Sequence, residues 1–220
     1  MLQLPFRDRI EAGRLLGAEL AARKLPKDSI VLALPRGGVP VGFEVARALA
    51  APLDVVVVRK LGVPWQPELA MGAIASGGVR GIVRILDEKL IRQEGISQED
   101  VEKIAAREAL EAERREQLYR AGRPALELRD RTVILVDDGL ATGSTMLAAV
   151  KCVKSLQPTA VVVAVPVASR QACARIREEA AECVCLATPM PFSAVGEWYE
   201  DFRQTTDVEV RDLLAGAPAE

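Results

Sequence analysis

Residues 133–145 read Val-Ile-Leu-Val-Asp-Asp-Gly-Leu-Ala-Thr-Gly-Ser-Thr. An apolar run ends in two acids and then in a bend of small and hydroxyl residues. Asp137 and Asp138 can accept hydrogen bonds from sugar hydroxyls or approach a cation. The bend that follows can hold an anion with its backbone amides and with the hydroxyls of Thr142, Ser144 and Thr145. A ligand carrying both a phosphate and a diol suits that pair of functions better than a plain nucleoside or a plain phosphate.

The flanking residues place this bend. Residues 133–136 are short, β-branched-rich and uncharged, as in a strand buried on both faces. Residues 145–150 read as a helix. The bend therefore sits at the carboxyl end of a strand, where ligands of open α/β sheets gather. Its anion end is a helix N-terminus, whose first amides have no internal partner. Gly139 and Gly143 allow positive φ and close backbone approach. Two other phosphate motifs fail to fit: a P-loop needs Lys before Ser/Thr, whereas Ser144 follows Gly143 directly, and the dinucleotide glycine pattern is absent. The competing reading is an ordinary strand-to-helix turn with a Ser/Thr cap. The acid pair followed by Ala-Thr-Gly-Ser-Thr weighs strongly against it.

Composition narrows the chemistry further. The chain has 220 residues, half of them apolar, and a formal net charge of −2. With mean hydropathy +0.13 and an isoelectric point of about 5.5, it reads as a globular chain with neither a membrane span nor a basic field for nucleic acid. It contains no histidine, which excludes every His-based triad and His-ligated metal site. Any metal must be held by oxygen, which favours magnesium. Four cysteines (152, 173, 183 and 185) fall in apolar segments without zinc spacing; 183 and 185 should face one side of a strand. The first residues turn charged at once, so no secretory signal is expected, and a reducing cytoplasm is the expected compartment.

Along the chain, strands and helices alternate. A helix is expected over 7–24, a strand over 29–34, a helix over 39–50 and a strand over 53–58. A loop should cover 59–72, and two short strands should pair around Gly77-Gly78 within 71–86. Residues 87–123 read as a helical insertion. Ser97 and Asp100 resemble a capping box, Val101, Ile104, Ala105, Ala109, Ala112 and Tyr119 share one stripe, and the dense Glu and Arg read as a solvated face. Strand 132–136, helix 144–156, strand 159–165, helix 169–180 and strand 182–186 follow. This order gives the fold class α/β, a single domain over 1–220 built on a parallel sheet with helices on both faces.

Three further constellations stand out. Pro35-Arg36-Gly37-Gly38 is a second strand-to-helix turn, with exposed amides and a guanidinium that can grip phosphate. Arg59-Lys60 puts two cations at the end of the second strand, followed by a Pro/Gly-rich loop bearing Trp65. Four of the chain's few aromatics, Phe192, Trp198, Tyr199 and Phe202, cluster near the end, either as a stacking surface for a planar base or as a small satellite core.

Residues 133–145 resemble the phosphoribosyl-pyrophosphate (PRPP) signature of the type I phosphoribosyltransferases, and the likeness extends over nearly the whole chain. It is greatest to an uncharacterised branch of predicted members, through Pro-Arg-Gly-Gly, the Arg-Lys-Leu-Gly segment, the charged insertion and Gln204-Thr205-Thr206. The resemblance implies that Asp137 and Asp138 bind the ribose hydroxyls and meet Mg²⁺ only indirectly, through PRPP. Gly139 and Ala141, Thr142, Gly143, Ser144 and Thr145 would cradle the 5′-phosphate. Pro35, Arg36, Gly37 and Gly38 would form the pyrophosphate loop, where a non-proline cis peptide is typical, aided by Arg59 and Lys60. Residues 188–206 would form a hood, with Phe192, Trp198 and Tyr199 as base-binding candidates. The segment through Trp65 would be a mobile lid, a task the 87–123 insertion could share.

The expected activity is a phosphoribosyltransferase of nucleotide metabolism. It would move phosphoribose from PRPP to a nitrogenous acceptor and release pyrophosphate, with Asp137, Asp138, Lys60 and Arg36 as catalytic residues. The alternative is a PRPP-sensing binding protein of the same fold without turnover. The hypoxanthine–guanine members carry an acid where Ala141 stands, which weakens a 6-oxopurine assignment. A homodimer is expected by analogy alone.

Overall fold

The structure, a computed structural model, describes residues 2–76, 82–120, 122–124 and 127–217. In chain order it begins with α1 (Arg9–Ala22), β1 (Ile30–Ala33), α2 (Gly38–Leu49), β2 (Leu53–Val55), β3 (Val57–Val63), β4 (Gln66–Ser76) and β5 (Val83–Leu86). There follow α3 (Glu88–Gln93), α4 (Gln98–Arg120), β6 (Thr132–Val136), α5 (Ser144–Lys154), β7 (Ala160–Val167), α6 (Arg170–Arg177), β8 (Glu182–Ala187), a 3-10 helix (Val195–Trp198) and α7 (Asp207–Ala215).

Five strands make a parallel sheet in the order β2-β1-β6-β7-β8. Side chains alternate between its faces, and both faces are apolar. In β1, Val31 and Ala33 join Leu16 and Leu20 of α1 and Val41 and Val45 of α2. Ile30 and Leu32 point the other way, into a cluster with Met146 and Val150 of α5 and Ile176 of α6. Fully burying each such side chain contributes roughly 1.5–3 kcal/mol. Cys173, Cys183 and Cys185 belong to this second cluster, and both β8 thiols meet Cys173 of α6. The chain steps outward from β1 to β2, and in the opposite direction from β6 through β7 to β8. The switch point lies between β1 and β6, the place at which ligands of open α/β sheets gather.

The segment after β2 differs from its sequence reading. The apolar run 53–58 is not one strand: β2 ends at Val55, and β3 begins a separate antiparallel sheet in the order β3-β4-β5. Both halves are equally apolar because both are buried, so composition carries no mark of the change of sheet. Residues 59–72, read as a loop from Gly62, Pro64 and Pro67, instead form most of the β3–β4 hairpin. Those residues sit where the pairing is irregular, with register shifts on both sides of Gly62. A Cβ on Gly62 would stand 2.5 Å from the Pro67 carbonyl oxygen, the close approach that places glycine at bulges. β4 and β5 pair antiparallel as expected; the Gly77-Gly78 turn lies outside the described residues.

The charged stretch after β5 forms α3 and α4. Ser97 and Asp100 bond reciprocally at the α4 N-terminus, and Val101, Ala105, Ala112 and Tyr119 are buried. The expectation of a fully solvated charged face fails at two residues. Glu108 is 7% and Arg120 6% exposed. Arg120 Nε and Nη2 donate to Asp54 of β2 at 2.9 Å, and Glu108 accepts from Arg59 of β3. Glu and Arg spaced along a helix look alike whether they face water or a buried partner far away in sequence. Among the described residues, no helix is long and apolar enough to cross a membrane.

Candidate functional site

The two turns that flank the switch point pack against each other. Leu34 N–H donates to the Val136 carbonyl at 2.9 Å, so β1 and β6 stay paired up to the point where both turns begin. The Pro35–Arg36 peptide is cis. Gly37 and Gly38 then pass directly over the acids. A Cβ on Gly37 would lie 2.1 Å from Asp138 Oδ2, and one on Gly38 would lie 2.8 Å from the Val136 carbonyl oxygen. Only a chain without side chains fits there, which explains the glycine pair.

Asp137 Oδ1 accepts the Asp138 N–H at 2.8 Å. Burial first, and then the neighbouring Asp138 charge, push the Asp137 carboxyl well above the usual carboxylate range. Asp138 is raised by burial, while the guanidinium of Arg9 pulls it back. Arg9 Nε and Nη2 both reach Asp138 Oδ2 at 2.8 Å. The acids therefore form an electrostatically uneven pair, one beside a cation and one disfavoured as an anion. Donors from a sugar diol, or a cation, would stabilise its charged state.

Beyond the acids, the turn leads into α5. Gly143 has φ 73° and offers no side-chain cap; the Thr142 hydroxyl accepts the Ser144 N–H at 3.4 Å, and the next α5 amides open towards the turn. Thr142 and Ser144 hydroxyls lie 3.2 Å apart. The turn is pinned from behind: Ser169 Oγ donates to the Ala141 carbonyl at 2.7 Å, and Arg175 Nη1 to the Thr142 carbonyl at 3.2 Å. Gly139 packs under Val195, where a Cβ would meet Val195 Cγ1 at 2.6 Å. Arg175 and Ser144 also line a cavity of about 520 Å³ that runs along α5 to β4 and β5.

The remaining candidates are dispersed. Arg36 Nη1 lies 3.6 Å from Asp207 at the start of α7. Asp207 also accepts from the Tyr119 hydroxyl at 2.8 Å, and burial together with that bond pushes the Tyr119 phenol up to about 12. Arg59 and Lys60 do not end β2; they lie within β3. Arg59 Nε is bonded to Glu108 at 2.8 Å, and both cations border a cavity of about 440 Å³ between the β3–β4 hairpin and α4. Trp65 at the hairpin tip is 58% exposed.

The aromatic cluster is a packed unit. Phe192 stacks on Trp198, and Tyr199 lies between Phe6 and Phe202 with centroids at 5.6 and 5.1 Å. Trp198 Nε1 is buried without a hydrogen-bond partner among the described residues. Tyr199 is 5% exposed, which leaves little ring face for a planar base, and its hydroxyl donates to the Asp138 carbonyl at 2.6 Å. The satellite-core reading thus describes its packing, while its hydroxyl serves the acid turn. The sequence reading missed Arg9 and Arg175. Nothing local marks either one; each shares its helix with at least one other arginine that has no contact with the turn.

The phosphoribosyl transferase domain family matches residues 8–201, from the start of α1 to the aromatic cluster. The chain belongs to that family. A curated relative in Mycobacterium tuberculosis H37Rv, named "Putative phosphoribosyl transferase Rv0571c", is 46% identical over 209 residues. Its counterpart in strain CDC 1551 / Oshkosh, MT0597, matches equally. The match covers 95% of this chain but 46% of each relative, so the chain spans less than half the length of the curated relatives it matches. The crystal structure of TT1426 from Thermus thermophilus has 45% identity and a TM-score of 0.84, covering 95% of this chain and 97% of that one.

Proposed function

We propose that this phosphoribosyltransferase-family protein takes phosphoribose from PRPP, with Mg²⁺, to a nitrogenous acceptor of the nucleobase class, releasing pyrophosphate. The observation that carries this reading is the contact of the two turns. The acid pair and the α5 N-terminus belong to one turn, the glycine pair of the other turn passes directly over the acids, and PRPP bears a diol, a phosphate and a pyrophosphate that such groups could receive.

The residues divide the work as follows. The α5 amides with Thr142, Ser144 and Thr145 hold the 5′-phosphate, a remote contact that fixes the reacting carbon. Asp137 and Asp138 accept the ribose hydroxyls and place negative charge near the ring, which becomes cationic as the C1–O bond breaks. Arg36 and the amides of Gly37 and Gly38 receive the pyrophosphate, whose negative charge grows in the same step. Arg59 and Lys60 contribute only when the β3–β4 hairpin brings them towards the crevice, because Arg59 is engaged by Glu108. Phe192 and Trp198 remain the candidates for holding the acceptor.

The fit for a metal is indirect. Among the described residues, no three acidic, cysteine or histidine side chains gather into a cage. A hard cation would be held mainly by substrate oxygens and water, as magnesium prefers, with the two aspartates beside it. The chemistry such a cation would supply is charge neutralisation on the leaving pyrophosphate.

Incubating the protein with PRPP, Mg²⁺ and a panel of nucleobases should release pyrophosphate with at least one acceptor. PRPP binding without pyrophosphate from any acceptor would instead support the non-catalytic sensor. A Gly37→Ala variant should weaken PRPP binding by about tenfold or more in calorimetry. The added methyl must displace the Asp138 carboxylate or the loop above it, and overpacking of that kind costs about 1–3 kcal/mol. Unchanged affinity would remove the 35–38 turn from the site.

A further inference from the structure

Arg9 is the first residue of α1. Asp8 caps that helix by accepting the Glu11 N–H at 2.7 Å, so the direction in which Arg9 leaves the chain is set by the helix itself. Every part of its guanidinium is engaged. Nε and Nη2 converge on Asp138 Oδ2 at 2.8 Å each. Nη1 donates to the Arg203 carbonyl at 2.8 Å. The guanidinium carbon lies 4.0 Å from the centre of the Phe202 ring, within the range of a cation–π contact. The side chains of Arg9 and Asp138 are 11% and 14% exposed, so water screens this pair little. Tyr199, stacked on Phe202, fixes the Asp138 carbonyl oxygen from the same side.

We infer that Arg9 is a positioning residue for the acid turn, holding the Asp138 carboxylate in the orientation that receives the ribose diol, with Phe202 and Tyr199 as its support. This rests on the ribose-phosphate reading of the site. A carboxylate on an ordinary strand end rotates freely about its terminal torsion. Here one oxygen is tied by two N–H groups and the backbone oxygen of the same residue is tied by a phenol, so Asp138 has one orientation before any ligand arrives. The start of the first helix and the C-terminal aromatic segment, 194 residues apart at Arg9 and Arg203, thus meet on one functional side chain. The phosphate cradle at Thr142–Ser144 makes no bond to this clamp, and that separation makes the two effects measurable apart.

The test compares ribose 5-phosphate, which carries the diol and the phosphate, with inorganic phosphate, which carries only the latter. Calorimetry is run on the whole protein, on Arg9→Gln, on Arg9→Lys and on Phe202→Leu. Arg9→Gln should lose about tenfold in ribose 5-phosphate affinity, the scale of a charge-assisted hydrogen bond, while its phosphate affinity stays within about twofold. Arg9→Lys, with charge but no fork, should fall between Arg9→Gln and the parent protein. Phe202→Leu keeps an apolar side chain there, removes the ring beneath the guanidinium and should shift ribose 5-phosphate affinity in the same direction. Equal losses for both ligands, or unchanged ribose 5-phosphate affinity in Arg9→Gln and Phe202→Leu, would overturn the inference and leave Arg9 a tie between chain ends. Should the parent protein bind phosphate and ribose 5-phosphate equally, the ribose reading itself fails, a result distinct from failure of the clamp.

Discussion

An Asp137→Asn variant should turn over at least about tenfold more slowly than the parent protein, of order 1.4 kcal/mol in the barrier, yet melt at a higher temperature. The two effects share one cause. Asp137 is half-buried, and its desolvation together with the Asp138 charge beside it disfavours its anion. The asparagine keeps the oxygen that accepts the Asp138 N–H but removes the charge that the ribose and its developing cation would use. The pH dependence has a definite sign. Because the folded protein holds the Asp137 proton to higher pH than the unfolded chain does, Asp137 lowers stability as pH rises from the ordinary carboxylate range through the raised folded value. The stability advantage of Asp137→Asn should therefore be absent in acid and grow across that window. Melting curves from about pH 3 to about pH 9, spanning the ordinary and the raised carboxylate ranges, with turnover measured in parallel, check both halves. A variant that is less stable at neutral pH, or as active as the parent, contradicts this account of the acid pair.

Arg120→Met should cost about 3–5 kcal/mol of stability, the range for stranding one partner of a buried ion pair. Asp54 lies in β2 at 2% exposure. Its carboxylate accepts from Arg120 Nε and Nη2 and from the Val55 N–H. Arg120 also reaches Glu116 and the Pro124 carbonyl. Removing the guanidinium leaves a buried anion with Arg123 at 3.7 Å as its nearest remaining cation among the described residues. The double variant Asp54→Asn, Arg120→Met should recover most of the loss, because no charge is then left buried without its partner. Urea unfolding reads both: a single variant within about 1 kcal/mol of the parent, well below the cost of a stranded buried charge, or a double variant worse than the single one, would show that this pair does not anchor α4 to the sheet.

Where the sequence is legible and where it is not follows from the range of the interactions. Residues 133–145 declare their strand, turn and helix because each depends on neighbours: β-branched residues for a buried strand, glycine at the positive φ of residue 143, hydroxyls before the helix. The 35–38 turn is legible for the same reason. Arg9 is not, because its partner Asp138 is 129 residues away and arginine at a helix start has no pattern of its own. Tyr199 and Phe202 stand out as aromatics, but the sequence does not show that one would hold the acid turn through its hydroxyl and the other would carry a guanidinium. The division of 53–63 between two sheets is hidden because both halves are equally apolar. The burial of Glu108 and Arg120 is hidden because the charged helix pattern is the same for solvent and for a buried partner.

The central claim is that the turn from Asp137 to Thr145 grasps a phosphorylated pentose, and calorimetry of Mg²⁺–PRPP against a Thr142→Ala, Ser144→Ala double variant tests it most directly. The two hydroxyls bond to each other on the open side of the turn, while the pins from Ser169 and Arg175 reach only backbone carbonyls and survive the change. The parent protein should bind PRPP, and the double variant should bind it at least about tenfold more weakly, of order 1.4 kcal/mol, with an unchanged melting temperature. Equal PRPP affinity in the two proteins would contradict the claim.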